Sequence, residues 1–162
     1  MEEKEIIRGF INPPKGYQLR YSKIRKVKDP VRGTPGSAGI DIFSPEDWSS
    51  ETIRPNGQVL IPSGLKFDIP DGMALIAFNK SGVAVKRGLL AGACVIDSDY
   101  EGEVHINLFN NSKKYVTIGP NEKLIQLLLV PVFHVPLVEV VESELFTKES
   151  ERGEGGFGST GE

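Results

Sequence analysis

The sequence predicts an all-β fold, a sandwich or barrel carrying one short helix, and three observations predict it. Eighteen Gly and eleven Pro are spread between short apolar segments instead of gathering in one low-complexity block. Those segments recur about every ten residues with Gly, Pro, Asn or Asp between them, the spacing of strands joined by tight turns. Helical periodicity is nearly absent. The candidate strands are residues 18–24, 59–62, 65–69, 73–78, 93–96, 104–109, 115–118, 124–130 and 135–141. In the sixth, Val104, Ile106 and Leu108 alternate with His105, Asn107 and Phe109, so one face is expected to be buried. The eighth, Leu124 to Val130, is apolar on both sides except at Gln126, which predicts a covered strand whose lone amide must find partners. The one helix is expected over residues 81–87, with Ser81 capping its first turn and Gly88 ending it.

A chain of 162 residues is the size of one domain and buries enough surface to fold without a staple. The expected division is an N-terminal extension over 1–16, a β domain over 17–146 and a flexible C-terminal arm over 147–162, which is polar and Gly-rich. A net charge of −3 opposes the basic footprint of a duplex binder, so nucleic acid is excluded as a partner while a nucleotide is not. No apolar run reaches the ~18 residues of a membrane span. The charged start Met1-Glu2-Glu3-Lys4-Glu5 is unlike a signal peptide, so a cytoplasmic, reducing location is expected. With two His and one Cys, no Cys/His zinc set forms within one chain; a metal here is expected to be a hard cation held by oxygen.

Three familiar patterns fail on context. Gly153-Glu154-Gly155-Gly156-Phe157-Gly158 spells a dinucleotide-binding fingerprint, but no strand precedes it and no helix can follow. Lys80-Ser81 resembles the end of a phosphate-binding loop, yet Leu75 stands where that loop requires Gly. Ser63-Gly64-Leu65-Lys66 has the spacing of a penicillin-binding nucleophile without its companion signatures.

What remains is a set of polar clusters between strands. Ala38-Gly39-Ile40-Asp41 places a carboxylate after a Gly-containing turn. Asn79-Lys80-Ser81-Gly82 puts a cation and a hydroxyl at the start of the helix, where an anion such as phosphate is favoured. The stretch Val95 to Glu103 sets Asp97, Asp99, Glu101, Glu103 and Tyr100 in one turn, and the tail joins Arg152 to Phe157 and to hydroxyls. Together these groups suit a polyphosphate with a divalent metal. Each also has a plainer reading: Asp97 and Asp99 as turn formers, Ser81 as a cap, Gln126 as a partner for buried backbone, the tail as a linker.

In this order the clusters resemble the five motifs of the trimeric deoxyuridine triphosphatases (dUTPases). Pro35-Gly36-Ser37-Ala38-Gly39-Ile40-Asp41 is similar to the first, the run Lys80 to Gly88 to the second, and Val95 to Glu103 to the third. Asn121-Glu122-Lys123-Leu124-Ile125-Gln126-Leu127 resembles the fourth, and the run Arg152 to Gly161 the fifth. The resemblance implies a jelly-roll subunit, a homotrimer with sites at subunit interfaces, and Mg2+-dependent hydrolysis of dUTP to dUMP and pyrophosphate. It implies Asp97 as the general base for the attacking water and Tyr100 under the deoxyribose, leaving no room for a 2′-hydroxyl. Main-chain groups near Cys94 and His105, on facing strands, would read the uracil edge and reject cytosine. Ser81 and Gly82 would contact the phosphates with Lys80 beside them, and Gln126 would reach the α-phosphate region. Asp41 would act through waters of the Mg2+. Phe157 would stack on uracil and Arg152 hold the γ-phosphate, with Gly158 and Ser159 in the same closing arm.

Three positions depart from the family pattern: Lys80 where Arg is usual, Cys94 where Gly is common, and Asn121 in place of a turn Gly that Asn can replace at positive φ. The loop 44–57, with Trp48, looks expanded. Two other classes are weighed: a dCTP deaminase on the related fold, and a binding or regulatory protein without turnover. An additional regulatory partner stays open.

Overall fold

Short alternating segments do become strands, and they pair antiparallel throughout. The computed structural model describes residues 18–148 and 150–155. Among them the order is β1 (Arg20–Lys23), β2 (Ile40–Phe43), β3 (Glu51–Ile53), β4 (Gln58–Pro62), β5 (Leu65–Asp68), β6 (Met73–Asn79), α1 (Ser81–Arg87), β7 (Leu89–Ala91), β8 (Val95–Ile96), β9 (His105–Asn110), β10 (Val116–Ile118), β11 (Lys123–Pro131) and α2 (Glu142–Leu145). One sheet runs β2-β11-β6-β8 and another β4-β9-β7, with two-stranded ribbons β1-β5 and β3-β10 beside them.

The core lies between the sheets. Ile42, Leu75, Ile125 and Leu127 come from the first, and Ile61, Leu89, Ile106 and Leu108 from the second, all essentially without exposure. Each such side chain contributes about 2 kcal/mol by leaving water. That outweighs surface pairs such as Arg20 with Asp68, both of whose side chains stay more than half exposed. The alternation expected of β9 and the residue before it is present: Val104, Ile106 and Leu108 are buried, with His105 and Phe109 exposed. No helix among the described residues is long and apolar enough to cross a membrane.

The expected helix has the expected bounds, and Gly88 closes it at φ 66, its N–H donating to the Ala84 carbonyl. Its start differs. Lys80, at φ −84 and ψ 126, is the extended residue before the first turn, and no side chain caps it. Ser81 already has helical backbone, and only the extended residue ahead of a helix can turn its side chain onto the first N–H groups. The Ser81 hydroxyl therefore does not serve as the cap.

Residues 135–141 form no strand. Pro136 removes a ladder donor, and no sheet edge of the described chain receives the segment, so Leu137 and Val138 are 98% and 77% exposed. Conversely β2, β3 and β7 appear where no strand was expected: they are three or four residues long, too short for a period to show.

Candidate active site

Asp41 lies within β2, not in a loop after the turn, and it is buried. It pairs in register with Gln126 of β11, which in turn pairs with Phe78 of β6, so these three side chains share one face of the sheet. Lys80, two residues beyond Phe78, reaches the same face and places Nζ 2.5 Å from Asp41 Oδ1. Gln126 donates its amide to the Asn79 carbonyl at 2.9 Å, the partner its buried strand demanded. Room for it comes from Gly39, where a Cβ would lie 2.0 Å from Gln126 Oε1.

A second lysine completes this cluster. Lys123 Nζ stands 3.1 Å from Asp41 Oδ2, and its ammonium also sits over the Phe43 ring. The β11–β2 register slips by one residue between Lys123 and Ile125. Without that bulge Lys123 would oppose Ser44 and point to the other face; with it, Lys123 opposes Phe43 and joins Asp41. Burial pushes the Asp41 carboxyl up, but the hydrogen bonds and charges of Lys80 and Lys123 outweigh it and hold the group below its usual range.

The start of α1, with Ser81 and Gly82 exposed, is held to this cluster from the helix's far end. Arg87 pairs with Glu122 and donates to the Thr117 carbonyl at 2.5 Å. Glu122 Oε1 accepts from the Gly119 N–H at 2.6 Å, and the fully buried Ser44 hydroxyl donates to the Gly119 carbonyl at 2.7 Å. Asn121 occupies this turn at φ 60, the conformation expected of a Gly substitute. Lys123, Arg87 and Glu122 went unrecognised as site residues in the sequence, because a bulge and a long-range ion pair leave no local signal.

The third polar stretch builds a different place. Carried three steps further, the register of Ala91 opposite Leu108 would set Cys94 opposite His105. The ladder itself ends earlier, at Gly92 N–H to the Asn107 carbonyl, because the chain then crosses to pair with β6. The strands splay, and a cavity of about 200 Å³ opens beside them, lined among others by Ala93, Asp97, Tyr100, Glu103 and His105. Cys94 does not line it: its thiol donates to the Gly92 carbonyl and its own carbonyl accepts the Ala77 N–H at 2.7 Å. Asp97 is exposed at the turn, and its carbonyl accepts the Tyr100 N–H.

These two clusters do not meet in one chain. The cavity's Ala77 and Ile125 belong to the sheet face opposite Asp41 and Gln126. Asp97 also follows Ile96 of β8, whose partner on β6 is Leu75, whereas Lys80 leaves the other end of β6, about 17 Å along the strand. Arg152 donates to the Gly155 carbonyl at 2.7 Å. Phe157, Gly158 and Ser159 lie outside the described residues, as does the 1–16 extension.

Fold and clusters together define an all-β jelly-roll protein whose two polar clusters lie on opposite faces of one sheet. The chain belongs to the dUTPase family: a family model described as dUTPase matches residues 25–161. The deoxyuridine 5′-triphosphate nucleotidohydrolase of Candida albicans is 36% identical over 99% of this chain and 91% of its own length. That of Bordetella avium is 41% identical over 82% of this chain and 87% of its own. Among solved structures, a dUTPase mutant of Staphylococcus bacteriophage 80alpha with dUpNHpp superposes with a TM-score of 0.76 at 28% identity, covering 89% of this chain and 98% of that one. A phage phi11 dUTPase mutant, described with a structural Mg(II) ion, gives a TM-score of 0.69 at 26% identity, covering 79% and 99%.

Proposed function

We propose that this protein is a dUTP diphosphatase that hydrolyses dUTP to dUMP and pyrophosphate by attack of water on the α-phosphorus. The observation that carries the reading is the cavity beside the splayed β7 and β9, with Asp97, Tyr100 and His105 at its wall. At about 200 Å³ it is smaller than the ~300–1,000 Å³ of sites that engulf drug-sized ligands, which suits one base and leaves the triphosphate outside.

Main-chain groups of the opened strands near Cys94 and His105 present fixed donors and acceptors to the uracil edge. Cytosine, with an amino group where uracil has a carbonyl, leaves a donor unpaired. The thiol of Cys94 is turned into its own hairpin, so it does not crowd that edge. Tyr100 packs under the deoxyribose, and Asp97, free to meet water, orients and deprotonates the nucleophile. Ser81, Gly82, Lys80 and Gln126 take the phosphates. As a point charge, Lys80 supplies attraction without the two-pronged contact of Arg. Arg152 and Phe157, with Gly158 and Ser159, close the arm over γ-phosphate and base.

Asp41 fits a hydrated Mg2+. No group of three His, Cys, Asp or Glu among the described residues could cage an ion, and Mg2+ binds well to one carboxylate plus substrate phosphates while keeping waters. Bound with the nucleotide, the ion would neutralise phosphate charge, and Asp41 would hold its waters after releasing a lysine.

Because the base cavity and the Asp41 cluster sit on opposite faces of the sheet, the site is completed by other subunits, in keeping with a homotrimer. The exposed apolar run from Val135 to Val141 supplies surface for such an assembly. In the cytoplasm the reaction would limit uracil incorporation into DNA and supply dUMP for dTMP synthesis. Pyrophosphate release from dUTP, dCTP, dTTP and UTP, with Mg2+ and with EDTA, tests the reading. Selective, Mg2+-dependent release from dUTP is expected; no release from any of them would overturn it, and ammonia from dCTP would indicate a deaminase.

A further inference from the structure

Tyr100 is held by a neighbour that no motif role covers. Its hydroxyl donates to the Glu103 carbonyl at 2.9 Å, and His105 Nδ1 lies 2.9 Å from the same oxygen, so that nitrogen carries its proton. Both lone pairs of one carbonyl thus fix two walls of the base cavity. The ring folds directly over Gly102, where a Cβ would lie 2.4 Å from the ring's Cζ and hydroxyl oxygen.

The Glu103 side chain is largely buried and points the other way. Its Oε1 accepts the Gly64 N–H at 2.7 Å, with Arg25 Nε at 3.4 Å from the same oxygen. Gly64, at φ 78, turns the chain into β5, and the Leu65 carbonyl next to it accepts the Val104 N–H at 2.9 Å. The peptide that holds Tyr100 is therefore anchored to a turn 39 residues away in sequence.

We propose that Glu103 is a positioning residue for sugar selection: by tying its own backbone to Gly64 it holds the Tyr100 ring in the one orientation that excludes a 2′-hydroxyl. This rests on the reading that Tyr100 packs under the deoxyribose. With the tether gone, the carbonyl shifts, the ring rocks over Gly102, and the gap that excluded ribose opens. The tether is the hydrogen bond from the Gly64 N–H, since Arg25 is partly exposed and its contact is long.

The test is kcat/KM for dUTP and for UTP, with melting temperature, in the full chain and four variants. Glu103→Ala is expected to lower the dUTP-to-UTP ratio about fivefold, the weight of one net hydrogen bond. Glu103→Asp, a methylene too short for Gly64, is expected to fall with it and serves if the alanine variant does not fold. Glu103→Gln keeps the acceptor and should stay within about twofold of the wild-type ratio. Tyr100→Ala is the control on the underlying reading: an unchanged ratio there means Tyr100 is not the sugar gate. If Tyr100→Ala collapses the ratio while Glu103→Ala and Glu103→Asp leave it intact, or if Glu103→Gln falls as far as they do, the positioning role is overturned.

Discussion

Lys80 Nζ stands 2.5 Å from Asp41 Oδ1, a contact that joins residues 39 positions apart across the face of one sheet. Lys123 binds the other carboxylate oxygen, so two of the motifs read in the sequence converge, with a third, on one charge. Each lysine can release its oxygen singly, because an ammonium gives up one contact at a time where a guanidinium gives up a fork.

Removing that charge should be felt in stability and in its pH dependence. Breaking a buried pair costs ~3–5 kcal/mol, but both lysines keep partial access to water, which reduces the expected loss for Asp41→Asn to about 1–3 kcal/mol. The folded carboxyl titrates below its unfolded value of about 4, so the native state prefers it ionised. Its contribution is therefore full above about pH 4 and fades as pH falls through the lower folded value. Melts between pH 3 and 7 should show Asp41→Asn losing stability at neutral pH and converging on the wild type in acid. Parallel curves at all pH values would refute the linkage.

Gly39→Ala should disturb Gln126 from across the sheet. The new Cβ would fall 2.0 Å from Gln126 Oε1 and 2.9 Å from its Cβ, so the amide must leave the Asn79 carbonyl. A loss of about 1–3 kcal/mol and a fall in turnover are expected. An alanine variant that melts and turns over like the wild type would show that Gln126 moves aside without consequence.

Asp97→Asn should separate chemistry from folding. The side chain is exposed, so the melting temperature is expected to hold within about 2 °C. Loss of a general base should cut kcat by ~100- to 10,000-fold while nucleotide affinity persists. Hydrolysis at the normal rate by this variant would remove Asp97 from the role.

Leu137 is 98% exposed in the single chain, so its replacement by Asp should be neutral for a monomer. For an assembly that covers the 135–141 run, Leu137→Asp buries a charge at each interface. Light scattering should then show a smaller particle, with turnover falling alongside if, as proposed, the site is completed by other subunits. An unchanged mass would place Leu137 outside any interface.

Much of this was legible in the chain itself. The alternation of Val104, Ile106 and Leu108 set a buried face through side-chain period alone, and the end of α1 followed from Gly88. Asn121 at φ 60 was readable because Asn is among the few residues that accept that backbone. The polar clusters, too, were visible as residue types at characteristic spacings.

Other features could not be read this way. The identity of Ser81 suggested a cap, but the helix begins from Lys80, since the cap belongs to whichever residue the incoming strand leaves extended. The sequence by itself determined the all-β class, most of the longer strands and where α1 lies, because those depend on backbone preference and on periods within a few residues; it missed the short β2, β3 and β7 and misplaced a strand at 135–141. Only the tertiary structure decided that a bulge turns Lys123 onto Asp41, that Glu103 reaches Gly64, and that Asp41 and the cavity beside Asp97 lie on opposite faces of one sheet. Register and long-range pairing are set by the packing of the whole core, in which no local segment holds a deciding share.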